Sequence, residues 1–291
     1  MYNWRDPEAR RTLELLSERT GAWPDLIVTY RAVVDKAPVG DRELLPILLT
    51  MVRVQEAELG QPDVALDTAQ IIIATQGKNP EALDALERLY KARDRYRDLA
   101  AIYDLKLEST EDPTERRRLL VELAALAENE LGDDPRAIAA YREALDIGGD
   151  RPDILEALDR LYARTESFPE LTDVLLRRLP FFPEQGPAGP HHERTQLKFR
   201  RGQILEQKLR DLSAAIDCYQ DILLENAGHV GAREALEQHL ADPGHRTRVA
   251  AILEPIYAEA DAPAKLVEIY RLLYDGSDDA LRKADLQRQI A

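Results

Sequence analysis

Three stretches of this chain can be laid over one another, and that internal repetition limits the possible folds more than any other feature. Moving residues 115–162 forward by 78 positions places Leu119, Ala124, Glu128, Leu131, Ala137, Tyr141 and Leu158 on Leu197, Gly202, Glu206, Leu209, Ala215, Tyr219 and Leu236. Moving them back by 72 places Leu120, Glu128, Gly132, Ala137, Pro152, Leu158 and Tyr162 on Leu48, Glu56, Gly60, Ala65, Pro80, Leu86 and Tyr90. A period of 72 to 78 residues is too long for one helical hairpin and fits two. In an array of this kind no unit buries its apolar side alone, so each leans on its neighbours.

Apolar spacing of three and four residues runs through nearly the whole chain and predicts helices over 7–19, 23–34, 41–59, 62–76, 80–91, 96–109, 113–131, 135–147, 152–164 and 168–179. Further helices are expected over 193–209, 212–225 and 229–240. The first pair matches Pro80 to Leu107 at an offset of 73 residues, with Leu13 on Leu86, Leu16 on Leu89, Trp23 on Tyr96 and Tyr30 on Tyr103. Turn residues such as Gly60, Asn79 with Pro80, Gly132 and Gly148 with Gly149 mark the junctions. Ile71 to Ile73 is β-branched, but it falls inside a helix-length apolar pattern and reads as core helix. After residue 240 the register slips. Ile256, Tyr257 and Leu266 match Leu161, Tyr162 and Leu171 at an offset of 95, so one helix plays two parts.

The prolines and glycines of 180–192, PFFPEQGPAGPHH, break the helical rhythm. The expected organisation is therefore a half-solenoid over 1–179, a Pro/Gly-rich loop over 180–192 and a second half over 193–291. Residues 278–291 resemble the start of another unit, so the chain reads as part of a longer array that stops inside a repeat.

Charge restricts the partners. With 39 Lys and Arg against 54 Asp and Glu, the formal net charge is −15, which repels nucleic acid and anionic lipid and favours basic partners. No segment approaches the ~18 uninterrupted apolar residues of a membrane span, and the first residues lack a secretory pattern, so a cytoplasmic location is expected. The lone Cys218 aligns with Ala140 and reads as a small buried thiol.

Chemistry-bearing motifs are sparse. His239 aligns with Leu161 and reads as a packing residue, whereas His191, His192 and Glu193 are too few for a metal site. Gly77 with Lys78 lacks the rest of a phosphate loop. Catalysis, a metal and a cofactor are all unexpected.

Within the central unit, Ala124, Ala137, Tyr141 and Ala144 resemble the tetratricopeptide repeat, and Gly202, Ala215 and Tyr219 resemble it more closely. Small residues there let antiparallel helices approach, and an aromatic fills the gap. The first copy departs, with Val52 and Ala69 at the small and aromatic places, and each first helix carries about one extra residue. The alternate hairpins use an aromatic followed by leucine, as in Phe168 and Leu171.

The resemblance implies an all-α, right-handed α-solenoid of about eight antiparallel helix hairpins, in the style of large bacterial arrays. It also implies a non-catalytic scaffold whose first helices line a concave surface. Projected onto that surface are Arg53, Glu56, Asp84, Arg88, Glu128, Asn129, Glu156, Arg160, Phe199, Gln203 and Glu206. This mixed but net acidic set suits another protein presenting a basic or amphipathic segment, with neither nucleic acid nor membrane as partner. A structural spacer, or an adaptor for a bacterial small GTPase or motility complex, are the alternatives the sequence leaves open.

Overall fold

The structure, a computed structural model, describes residues 4–182 and 190–290, and within them sixteen α-helices and no strand. The chain divides into two compact units, Met1–Gly149 and Asp150–Ala291.

The first unit holds α1 (Pro7–Thr20), α2 (Trp23–Val34), α3 (Leu45–Ala57), α4 (Pro62–Gln76), α5 (Pro80–Lys91), α6 (Tyr96–Ser109), α7 (Pro113–Leu126) and α8 (Asp134–Gly148). Proline stands in the first turn of most of them, where its missing N–H costs nothing. Asp6, Asn79, Asp112 and Asp133 cap N-termini by accepting backbone N–H bonds. Each even helix packs antiparallel against the odd helix before it, and α2, α4 and α6 also touch the next one, producing a continuous apolar core from Leu26 to Leu126. Ile72 is fully buried in α4, while its neighbour Ile71 is exposed, so the β-branched run is helix with one face in the core.

The second unit holds α9 (Pro152–Arg164), α10 (Phe168–Arg178), α11 (Pro190–Gln207), α12 (Leu212–Glu225), α13 (Val230–Gln238), α14 (Arg246–Glu259), α15 (Pro263–Gly276) and α16 (Ala280–Ile290). Of the expected 180–192 loop, residues 183–189 lie outside the described residues, and α11 already begins at Pro190.

Backbone geometry confirms the repeat register. Gly60, Gly132 and Arg210 occupy equivalent turns and all adopt left-handed conformations, with φ of 60°, 63° and 56°. Just after them Gln61 N–H donates to Gln55 C=O (2.7 Å), Asp133 to Ala127 (2.9 Å) and Asp211 to Leu205 (2.8 Å). The extra residue in each first helix is thus absorbed as a widened last turn, a π-turn at Ala127–Leu131 in the central copy. Gly21, Asp94, Glu166 and Asp261 are likewise left-handed at the turns of the alternate hairpins. The spacing of Glu166 and Asp261 is the 95-residue offset, so α14 and α15 form the next alternate hairpin. α13 stands alone between α12 and that hairpin, which is why the register slips.

Small and large residues trade places between copies. Gly202 faces Tyr219, and a Cβ at Gly202 would lie 2.6 Å from Tyr219 Cε1. The aligned Ala124 and Tyr141 are also buried. In the first copy the pair becomes Val52 and Ala69, both buried, so volume moves from the second helix to the first. At the start of the chain the match of Leu16 to the buried Leu89 fails: Leu16 is 52 % exposed, with no described helix laid over that side of α1.

Candidate functional site: a groove between first helices

In the first unit α3 and α5 are successive first helices, and between them lies a groove of about 580 Å³. Its floor is Leu45, Pro46, Leu49, Val52 and Ala85; Thr50, Arg53, Glu81 and Arg88 supply its polar rim. Leu45 and Leu49 are one turn apart on α3, and Glu81, Ala85 and Arg88 share one face of α5, so each helix contributes one stripe.

The rim charges differ in how far they are committed. Arg88 Nη2 is 2.8 Å from Glu56 Oε2, a tie from α5 to α3. Arg53 lies 5.9 Å from the Trp23 ring centroid and has no acidic partner among the described residues. Glu81 is exposed and has no cationic partner among them. The groove therefore offers one uncommitted cation and one uncommitted anion on opposite walls.

Most of the carboxylates projected from sequence are engaged within the fold. Asp84 accepts from the buried Lys106 (2.5 Å), which also pairs with Glu87. Glu128 is 9 % exposed, beside the exposed Asn129. Glu206 accepts from the Tyr219 hydroxyl (2.7 Å) and lies 2.8 Å from His239 Nε2. Phe199 is half-buried, with ring centroids 5.8 Å from Tyr219 and 5.2 Å from His229, and Gln203 is half-buried one turn on. Glu156 and Arg160 are exposed on α9 in the second unit. The structure thus brings together Arg53, Glu56 and Arg88, with Asp84 on the same helix as Arg88, and separately Phe199, Gln203 and Glu206 on α11. Glu81 and Leu45 were missed; following the α5 stripe one turn back from Ala85 would have found Glu81.

Glu206 belongs to a recurring device. The phenol of a second helix donates to a glutamate on a first helix, and a polar group on a neighbouring first helix or the turn after it completes the tie. Tyr30 and Thr50 both donate to Glu14 (2.9 and 3.1 Å); Tyr103 donates to Glu122 (2.7 Å), which Lys91 also meets at 3.1 Å. A variant of the device follows the register slip: Tyr257 on α14 and Lys265 on α15 both bond Glu237 on the unpaired α13. Burial works to raise the Glu122 and Glu237 pKa values, but these hydrogen bonds and cations outweigh it and hold both below the usual carboxylate range. Burial and the facing carboxylate push the Tyr103, Tyr219 and Tyr257 phenols up.

The sulfur of Cys218 is buried 3.0 Å from Arg201 Nη1, and burial pushes its thiol up, away from nucleophilic use. Among the described residues no group of three or more His, Cys, Asp or Glu could hold a metal; the side chains of His191 and His192 lie outside them. No described helix is long and apolar enough to cross a membrane.

A sequence model of the tetratricopeptide repeat matches residues 82–117, which span most of α5, all of α6 and the start of α7. The chain is a tetratricopeptide-like helical repeat protein. The match falls on one of the alternate hairpins, whose aromatic and leucine pattern departs from the alanine pattern of the central unit. Proteins of this repeat family generally mediate protein–protein interaction and are generally non-catalytic. No curated protein sequence matches the chain. Among solved structures, a tetratricopeptide repeat protein from Parabacteroides merdae is 12 % identical, covers 98 % of each chain and has a TM-score of 0.39. PilF of Pseudomonas aeruginosa is 15 % identical over 81 % of this chain and 97 % of its own, with a TM-score of 0.35. YrrB, described as a tetratricopeptide protein with an unusual peptide-binding site, is 10 % identical over 66 % of this chain and 91 % of its own, with a TM-score of 0.37. None of these likenesses bears on what this chain binds.

Proposed function

We propose that this tetratricopeptide-like protein is a non-catalytic docking scaffold that takes an amphipathic segment of a partner protein in the groove between α3 and α5. The observation that carries this reading is the pairing of an apolar floor with two uncommitted opposite charges, Arg53 and Glu81. An apolar side chain of the segment rests on Leu45, Leu49 and Ala85, while a basic residue meets Glu81 and an acidic one meets Arg53. Arg88 and Glu56 neutralise each other beside it and shape the wall. The net charge of −15 favours a partner whose segment is basic overall, because long-range attraction speeds encounter.

The test is a selection of peptides from a random display library on the full chain, followed by measured affinities. Peptides that combine apolar and charged residues are expected to weaken at least tenfold on Arg53→Glu or Glu81→Lys. Reversing the peptide's own facing charge restores them. Selected peptides that bind both variants as well as the parent overturn the assignment of the groove. Failure of any peptide to enrich favours a spacer.

A further inference from the structure

The second unit has a groove of its own, between α12 and α14, about 350 Å³ in volume. Leu223, Leu224, Ala251, Ile252, Pro255 and Ile256 line it, with Gln220 and Arg248 towards one end. Leu224 is 77 % exposed, a large apolar side chain left open beside a concave apolar surface.

Its charges are one-sided. The α12 sequence, LSAAIDCYQDILLE, contains three carboxylates and no Lys or Arg. Arg248 is engaged by Asp217 and the Ser213 hydroxyl, so its cation is neutralised at the N-terminal end of the groove. On α12 Asp221 is three residues before Leu224, at the level of Gln220, and towards the other end Glu259 is four after Pro255, which puts each on the stripe of its helix that lines the groove. Both are exposed, and neither has a cationic partner among the described residues. Pro255, inside α14, has no N–H, so the carbonyl of the groove residue Ala251 lacks its usual helical donor. An apolar trough with an acidic rim and a released backbone acceptor matches a ligand that is apolar along one side and donates from cations at the edges.

We infer that this groove is a second docking site, independent of the one between α3 and α5, for an amphipathic helix of a partner protein that carries leucine-like residues on one face flanked by Lys or Arg. The leucine-like side chains lie over Ala251 and Ile252 beside Leu224. The cations reach Asp221 and Glu259. The lining of α14 runs from Arg248 to Ile256, about 12 Å of helix, so about two turns of ligand find support there.

The test uses the full chain and two synthetic 18-residue helical peptides, one of Leu and Lys and one of Leu and Glu in the same pattern, with binding followed by fluorescence anisotropy and amide hydrogen exchange. The Leu/Lys peptide is expected to protect α12 and α14. Filling the trough with Ala251→Trp, or reversing its rim with Asp221→Lys and Glu259→Lys together, weakens it at least tenfold and removes that protection. Arg53→Glu, in the other unit, leaves it in place. Ala251, Asp221 and Glu259 are exposed, so these substitutions leave the buried core untouched, and unchanged exchange in the rest of the chain checks the fold of each variant. Equal binding of the Leu/Glu peptide overturns the inference, as does protection elsewhere or affinity within twofold of the parent in both groove variants. Self-association of the free chain that Leu224→Ser abolishes also overturns it, since a second copy would then be the occupant.

Discussion

Substituting Gly202 by alanine tests the packing of the repeats with a sign as well as a size. In an open helical position the change is favourable by about 1 kcal/mol, because alanine has the higher helix propensity. Here the new Cβ would lie 2.6 Å from Tyr219 Cε1 and 3.1 Å from both Cδ1 and Cζ, an overlap of roughly 1 Å with ordinary carbon contacts. The ring cannot retreat freely, since Tyr219 is fully buried and its hydroxyl is tied to Glu206 at 2.7 Å. Overpacking of that kind costs about 1–3 kcal/mol, so the expected net effect is a loss of about 1 kcal/mol. Gly202→Val costs more, and Gly202→Ala combined with Tyr219→Leu is expected to lose less than the sum of the two single losses, because the clash is gone in the double variant. Because the chain has two compact units, hydrogen exchange of the α11 and α12 amides in increasing urea is a cleaner reading than the midpoint of the whole chain. A Gly202→Ala protein more stable by about 1 kcal/mol would mean that propensity alone acts and that the close approach does not exist.

Other substitutions probe the ties and turns. Tyr103→Phe removes a hydrogen bond to the charged Glu122 and is expected to cost about 1.5–3 kcal/mol, read as lost exchange protection in α6 and α7. Gly132→Ala places a side chain at φ 63° with nothing within 4 Å, so its cost of about 1–2 kcal/mol is backbone strain alone. Arg210→Gly at the equivalent turn is expected to change stability in the opposite direction, by up to about 1 kcal/mol after the larger unfolded-state entropy of glycine is deducted. For Glu87, Glu122 and Glu237, burial raises the pKa, but hydrogen bonds from lysine and, for the last two, tyrosine leave it net lowered. Their stabilisation is therefore full above the unfolded carboxylate value of about 4.3 and is lost as pH falls through the depressed folded values. Urea midpoints should hold between about pH 7 and 5 and fall below about pH 4.5; a fall beginning near pH 6 contradicts the assignment to these carboxylates.

Apolar spacing made the helices legible because burial of one face repeats in every copy. Pro80, Pro113 and Pro152 announced their first turns, and the offsets of 73, 72 and 95 reappear as the left-handed residues Gly21, Asp94, Glu166 and Asp261. The odd residue in each first helix was visible as a count. Its accommodation in a widened turn was not, because the hydrogen-bond shift leaves no mark on apolar spacing.

The candidate site was legible only in part. Arg53, Glu56 and Arg88 do stand together, yet Glu56 and Arg88 neutralise each other across two helices. Glu56, Glu128 and Glu206 looked like a displayed acidic row because the sequence does not show which side chain will reach each: Arg88 takes Glu56 and Tyr219 takes Glu206. Glu14 and Tyr30 are 16 apart, Tyr103 and Glu122 are 19, and Glu206 and Tyr219 are 13, so no fixed spacing marks the tie. Glu81 was overlooked for the opposite reason: the first turn of a helix reads as capping chemistry, and only the packing of α3 beside it turns that carboxylate into a wall of a groove.

The central claim is that the α3–α5 groove is where a partner docks. Hydrogen exchange of the full chain, alone and with a display-selected peptide, tests it most directly. Slowed exchange confined to Leu45–Ala57 and Pro80–Lys91, absent in Arg53→Glu, is the predicted result. Protection that bypasses both helices, or that persists unchanged in the variant, contradicts it.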